Sequence, residues 1–171
     1  NGCGMTADDA VLALQRHATS KIRTSDDLFA IQTLGFRGEA LPSIASVSHL
    51  TLTTLPAESE AGGRISVHGG EIESVADFGG RKGTAIIVED LFFNTPARLK
   101  FLKSTPTEVA RAVETVGHLA ISHPQVAFRV RHGQQEMFST PGGGDPMGAM
   151  AAVWGREIAR KLIPIEHDTP G

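Results

Sequence analysis

The stretch "GFRGEALPSIASVSHLTLTT", residues 35–54, changes its hydrophobic period half-way along. In the first half Leu41, Ile44, Ala45 and Val47 recur at helical spacing. Pro42 belongs only in the first turn of that helix, where its missing N–H would have no intrahelical partner anyway. The helix therefore begins close to Gly38 or Glu39, and Gly35 to Gly38 is a loop feeding its N-terminus. From Leu50 the period is two, with Leu50, Leu52 and Thr54 alternating with threonines as in a half-buried strand. A glycine-rich loop, a short helix and a strand in immediate succession make this an α/β chain.

Upstream, Thr6 followed by Asp9 is a capping-box-like start, with Asp8 and Asp9 suited to the positive end of a helix dipole, and predicts a helix over 7–17. Ser25, Asp26 and Asp27 repeat the signal before the apolar stripe Leu28, Ile31 and Leu34, and Gly35 stops that second helix. Downstream, residues 64–68 and 71–75 flank Gly69 and Gly70 as a hairpin, so the middle of the chain reads as antiparallel sheet. The β-branched run 84–88 predicts a central strand covered on at least one face. Helices are expected over 97–103 and 107–122, the latter with Val109, Val113, Val116, Leu119 and Ala120 on one face, followed by a hairpin of 128–131 and 136–139. The loop "TPGGGDP", 140–146, is the strongest linker signal. A helix near 147–153 and an apolar strand in "KLIPIE", 161–166, are expected in a neighbouring domain.

Composition narrows the function classes. The 171 residues are 40% hydrophobic and 20% charged, enough for one well-buried core and the edge of a second domain. A formal net charge of −3 gives no overall basic field for nucleic-acid binding. The single cysteine, Cys3, excludes an internal disulfide or a cysteine-rich zinc site and fits a reducing compartment. No segment is long and apolar enough for a transmembrane helix and no signal peptide opens the chain, so the expectation is a cytoplasmic protein with no membrane partner. Asn1 stands first instead of Met, which reads as a fragment.

Three stretches carry chemistry. In "GFRGEA", Gly35 and Gly38 let backbone approach a bulky ligand, Arg37 adds a charged donor, and the helix start offers unpaired N–H groups to an anion. Phosphate-binding loop and plain turn between helices both fit these six residues. "ATSK", 18–21, places two hydroxyls and an ammonium beside a helix end, suited to phosphate oxygens or to local backbone capping. "NGCG" lets backbone pass close to a flat ligand through Gly2 and Gly4. No P-loop is present: in "GGRKGT" the lysine precedes the last glycine, and a strand follows. The seven histidines lack metal-ligand spacing, and His17 reads as a dipole partner at a helix end. Arg98, Lys100 and Lys103 beside Phe101 and Leu102 read as the solvated side of a packed amphipathic turn ahead of a DNA contact. Trp154 and the eight phenylalanines read as core.

Together, "NGCGM", "ALQRHATSKI", "DDLFAIQTLGFRGEALPSIASVSHLTLTT" and "GTAIIVEDLFFNTPARLKFL" resemble the amino-terminal ATPase region of the MutL family of DNA mismatch-repair proteins, within the GHKL superfamily. The resemblance covers most of the first 105 residues and weakens beyond them. It implies a two-layer α/β (α+β) sandwich of the GHKL type with a mixed, mostly antiparallel sheet. Residues 1–140 would be a nucleotide-binding domain lacking its N-terminal part, and 141–171 a linker and the beginning of a transducer-like domain. By the same resemblance Asn1, Gly2 and Gly4 are what remains of a D-x-G-x-G motif. Leu12 lies near the base, and Thr19, Ser20 and Lys21 near the phosphates. Gly35, Phe36, Arg37, Gly38, Glu39 and Ala40 form the second glycine-rich motif, and Thr84 helps hold adenine.

The cofactors so implied are ATP and Mg²⁺. The family's general-base Glu and Mg²⁺-holding Asn lie on a helix upstream of D-x-G-x-G, so this chain is expected to contain no catalytic residue and no metal ligand, and not to hydrolyse ATP alone. Implied partners are a second copy in an ATP-dependent N-terminal dimer, a MutS-like mismatch-recognition protein, and DNA, mainly through other parts of the protein. The alternatives are a gyrase-type topoisomerase ATPase subunit, disfavoured by "NTPARLKFL", and a non-catalytic interaction module of the same fold.

Overall fold

The computed structural model describes residues 2–19, 21, 35–163 and 165. The helix expected after Ser25 lies outside them. The chain forms two compact units, Asn1–Phe101 and Leu102–Gly171.

In the first unit, helix α1 (Ala7–Ala13) starts as its sequence dictates: the Thr6 hydroxyl accepts from the Asp9 N–H at 3.1 Å and donates to the Asp9 carboxylate at 2.8 Å. It ends earlier than the expected 7–17, and His17 takes a left-handed backbone with φ of 64°. Helix α2 (Ala40–Ala45) begins one residue after Glu39, with Pro42 in its first turn. Four strands follow, β1 (His49–Leu55), β2 (Gly62–His68), β3 (Glu71–Phe78) and β4 (Gly83–Glu89). They lie in the order β3-β2-β1-β4, and every pairing among them is antiparallel. The Gly69-Gly70 hairpin forms as read, with a bulge between Ser66 and Val67.

Alternation decides the layers. Leu50, Leu52 and Thr54 of β1 sit opposite Val67, Ile65 and Gly63 of β2, so one face of both strands is apolar, and α1 and α2 cover it. Ala10, Ala45, Leu50, Leu52, Ile65 and Val67 form the core, with Met5, Val11, Leu14 and Leu41 packed at its edge. On the opposite face His49 stacks on His68 with ring centroids 4.2 Å apart, and Phe93 packs against both. Asn94 donates to the Ser46 carbonyl at 2.9 Å, which fixes the loop before helix α3 (Pro96–Leu99).

β4 corrects one expectation. It pairs only with β1 among the described residues, at the sheet's edge, and Ile86, Ile87 and Val88 are 44%, 55% and 41% exposed. A continuous β-branched run sets strand propensity but not position in the sheet. The turn around Arg98, Lys100 and Lys103 is also not packed as expected, since Phe101 is 80% exposed.

The second unit holds helix α4 (Thr105–Ser122), hairpin β5 (Arg129–His132) and β6 (Gln135–Ser139), and helices α5 (Pro146–Trp154) and α6 (Arg156–Ala159). α4 buries Gly117 and Ala120, and Val153 of α5 packs on Gly117. The 140–146 loop joins β6 to α5 inside this unit, and its Asp145 caps α5 by accepting from the Met147 N–H at 3.0 Å. Among the described residues of 161–166 no strand forms, because none of them meets a ladder partner. Phe138 is the one buried phenylalanine among the described residues and Trp154 is 40% exposed, so the aromatic core expected from the sequence is replaced by an aliphatic one.

Candidate functional site

The first unit carries an open cavity of about 1330 Å³. Its first wall is α1 and the residue before its cap: Asp9, Leu12 and Ala13 fall at i, i+3 and i+4 along one helical face, and Met5 precedes the Thr6 cap. Beyond α1 the wall continues through His17, Ala18, Thr19 and Lys21, where the Thr19 hydroxyl accepts from the Lys21 N–H at 3.2 Å in a local turn. The facing wall is Gly35, Phe36, Arg37, Gly38, Glu39, Ala40 and Leu41. The motifs "ATSK" and "GFRGEA", fourteen residues apart, thus meet across one space, with the Lys21 ammonium and Arg37 guanidinium as its cationic groups and Asp9 and Glu39 as its carboxylates.

The base of α1 is fastened to the sheet by a buried hydroxyl. Thr54 accepts from the Met5 N–H at 2.8 Å, and its oxygen lies 2.9 Å from the Thr84 hydroxyl and 3.3 Å from the Gly83 carbonyl. Gly4 has φ of 73° and lies so close to the end of β1 that a Cβ would overlap the Leu55 carbonyl, so only glycine passes there.

Of the residues read from the sequence, Leu12, Thr19, Lys21 and all six of 35–40 line the cavity. Gly2 is exposed with open space around it, and Gly4 stands one residue before the wall. Thr84 is exposed and off the wall; it reaches Met5 only through Thr54. Asn1 and Ser20 lie outside the described residues. Sequence reasoning missed Met5, Asp9 and Ala13, although the helical spacing of Asp9, Leu12 and Ala13 was there to be read, and it missed His17, whose role depends on a bend that spacing does not reveal.

The chain aligns over 167 residues, 98% of its length, with the DNA mismatch repair protein MutL of Symbiobacterium thermophilum at 54% identity. It is 52% identical over its whole length to MutL of Desulforudis audaxviator. The Aquifex aeolicus MutL ATPase domain complexed with ADP superposes with a TM-score of 0.67 at 27% identity, over 90% of this chain and 54% of that one.

The chain belongs to the MutL family.

It spans 26% and 30% of the length of those two MutL relatives. The N-terminal domain of a DNA repair protein shares the fold, with a TM-score of 0.70 over 91% of this chain. No protein-family profile matches the chain. The helix-and-sheet architecture is that of the MutL ATPase domain, as the resemblance in "GFRGEAL" and "NTPARLKFL" implied. No helix among the described residues is long and apolar enough to cross a membrane.

Proposed function

We propose that the cavity is the nucleotide site of a MutL-type mismatch-repair ATPase and that ATP works there as a switch as much as a fuel. The observation that carries the proposal is the pairing of the two motif walls, which sets Lys21 and Arg37 around one concavity in a fold shared with an ADP-complexed MutL ATPase domain. Its volume is ample for a nucleotide. On this reading the apolar wall of Met5, Leu12 and Ala13 receives the base end, and the 18–21 and 35–40 loops receive the phosphates. Thr84, through Thr54, holds the Met5 backbone at the base of the site.

No cluster of three potential metal ligands exists among the described residues. On this reading Mg²⁺ arrives on phosphate oxygens, its usual mode of binding. When bound it neutralises phosphate charge; what the chain supplies is donors and shape. The carboxylates on the wall are Asp9 and Glu39, and Glu39 is engaged by His17, so we assign neither as general base and place hydrolysis in the intact protein.

Phosphate contacts then hold residues 5–40 as a lid in one arrangement, and the lid so held forms part of a surface on which a second copy docks, so that the ligand stabilises one state. That closure couples a MutS-like partner's mismatch recognition to downstream repair in the cytoplasm. By the resemblance, the nucleotide-binding domain extends past the first compact unit to about residue 140, taking in α4, β5 and β6, and a transducer-like domain follows. The test is titration of the intact protein with ADP and with a non-hydrolysable ATP analogue and Mg²⁺, followed by sedimentation. Micromolar binding of both, with dimerisation by the ATP analogue alone, supports the switch. Binding without any change of mass removes the dimer step, and absence of binding by a folded protein removes the nucleotide reading.

A further inference from the structure

The two motif walls are tied together at one point. His17 Nδ1 lies 2.7 Å from Glu39 Oε1. Beside this pair, Gly38 lies so close to Ala18 that a Cβ would overlap the Ala18 carbonyl. Both His17 and Gly38 are left-handed, with φ of 64° and 67°. Glycine adopts that backbone without cost, whereas a histidine gives up about 1 kcal/mol. A strained residue on the wall of a ligand cavity needs something that holds it there.

Charge supplies the reason. Glu39 Oε1 is buried and has no aligned hydrogen bond, so the imidazole is its one close charge partner among the described residues. The other charged groups on the cavity wall are Asp9 on α1, Lys21 on the first loop and Arg37 on the second. A Glu39 carboxylate released from His17 would compete for Lys21 and Arg37 and would repel phosphate; paired, it does neither.

We propose that His17 and Glu39 are a positioning pair, a latch that holds the 18–21 and 35–40 loops in register and keeps the Glu39 carboxylate from occupying the phosphate cations. This rests on the nucleotide reading above.

The test uses ADP affinity of the intact protein and four variants. His17→Asn keeps a residue that tolerates the left-handed backbone but loses the cation. Glu39→Gln loses the anion and keeps the shape. His17→Lys restores a cation. The fourth is the Asn/Gln double variant. H17N is expected to bind ADP roughly two- to fivefold more weakly, the range for a partly exposed ion pair. The double variant is expected to bind no more weakly than H17N, and H17K to return within about twofold of the parent. Losses that multiply in the double variant, an H17N protein that binds like the parent, or an H17K protein that stays as weak as H17N would each overturn the latch. Failure of the folded parent to bind ADP would instead overturn the nucleotide reading and the latch with it. Thermal melting of each variant without ligand separates misfolding from lost binding, and E39Q, with no backbone demand, carries the test if H17N does not fold.

Discussion

The centre of the sheet and the wall of the cavity belong to the same compact unit and are built on opposite terms. Leu50, Leu52, Ile65 and Val67 are at most 4% exposed and packed beneath two helices, whereas Leu12 and Phe36 on the wall are 52% and 40% exposed. Core side chains lose water when the chain folds, and their contribution is to stability. Wall side chains keep their water in this state, so their burial is available to whatever enters the cavity. The difference separates two kinds of substitution, those that lower stability and those that lower affinity.

The largest stability effect is expected at the centre. Leu52→Ala removes a fully buried side chain between α1 and the sheet and should cost about 3 kcal/mol in urea denaturation. ADP affinity of the protein that remains folded should stay within about twofold, a change of under roughly 0.5 kcal/mol. A tenfold loss of affinity would show that core and wall are not separable.

Two glycines of one motif sharpen the comparison. Gly38→Ala forces a Cβ onto the Ala18 carbonyl at a left-handed position and should cost about 2 kcal/mol, with affinity falling about tenfold. Gly35→Ala points its Cβ into open space and should change melting by less than about 0.5 kcal/mol. Equal effects of the two would mean that the Gly38 approach to Ala18 does not hold the wall. The smallest effect belongs to the cap: Thr6→Ala removes the Asp9 N–H acceptor and should cost about 1 kcal/mol in thermal denaturation while shifting ADP affinity less than Gly38→Ala does.

What the sequence revealed follows the same division. Periodicity and capping are local, so α1's start, α2, the Gly69-Gly70 hairpin and β1 were legible from 5–75 alone. The place of β4 was not, because the run "TAIIV" specifies a strand without specifying how many neighbours it has. The exposure of Phe101 and Trp154 also depends on packing across the chain and left no local mark. In the site, the motifs named most of the wall, but by their order and resemblance, since the same glycines, hydroxyls and cations read singly also suit turns and caps. Thr84 was assigned to the ligand by resemblance; it stands off the cavity wall and is linked to Met5 through the Thr54 hydroxyl. His17 read as a helix-end cation because its sequence neighbours are helical; the helix stops at Ala13, and the left-handed bend turns the ring toward Glu39.

The most direct measurement of the central claim is hydrogen exchange of the intact protein with and without ADP, read peptide by peptide. The account predicts that ADP slows exchange by more than tenfold, about 1.4 kcal/mol, in peptides covering 5–21 and 35–41, with β1 and β2 unchanged because they are already protected. Protection spread evenly over β1, β2 and the second unit, with 5–21 and 35–41 unaffected, would contradict it and place the nucleotide elsewhere.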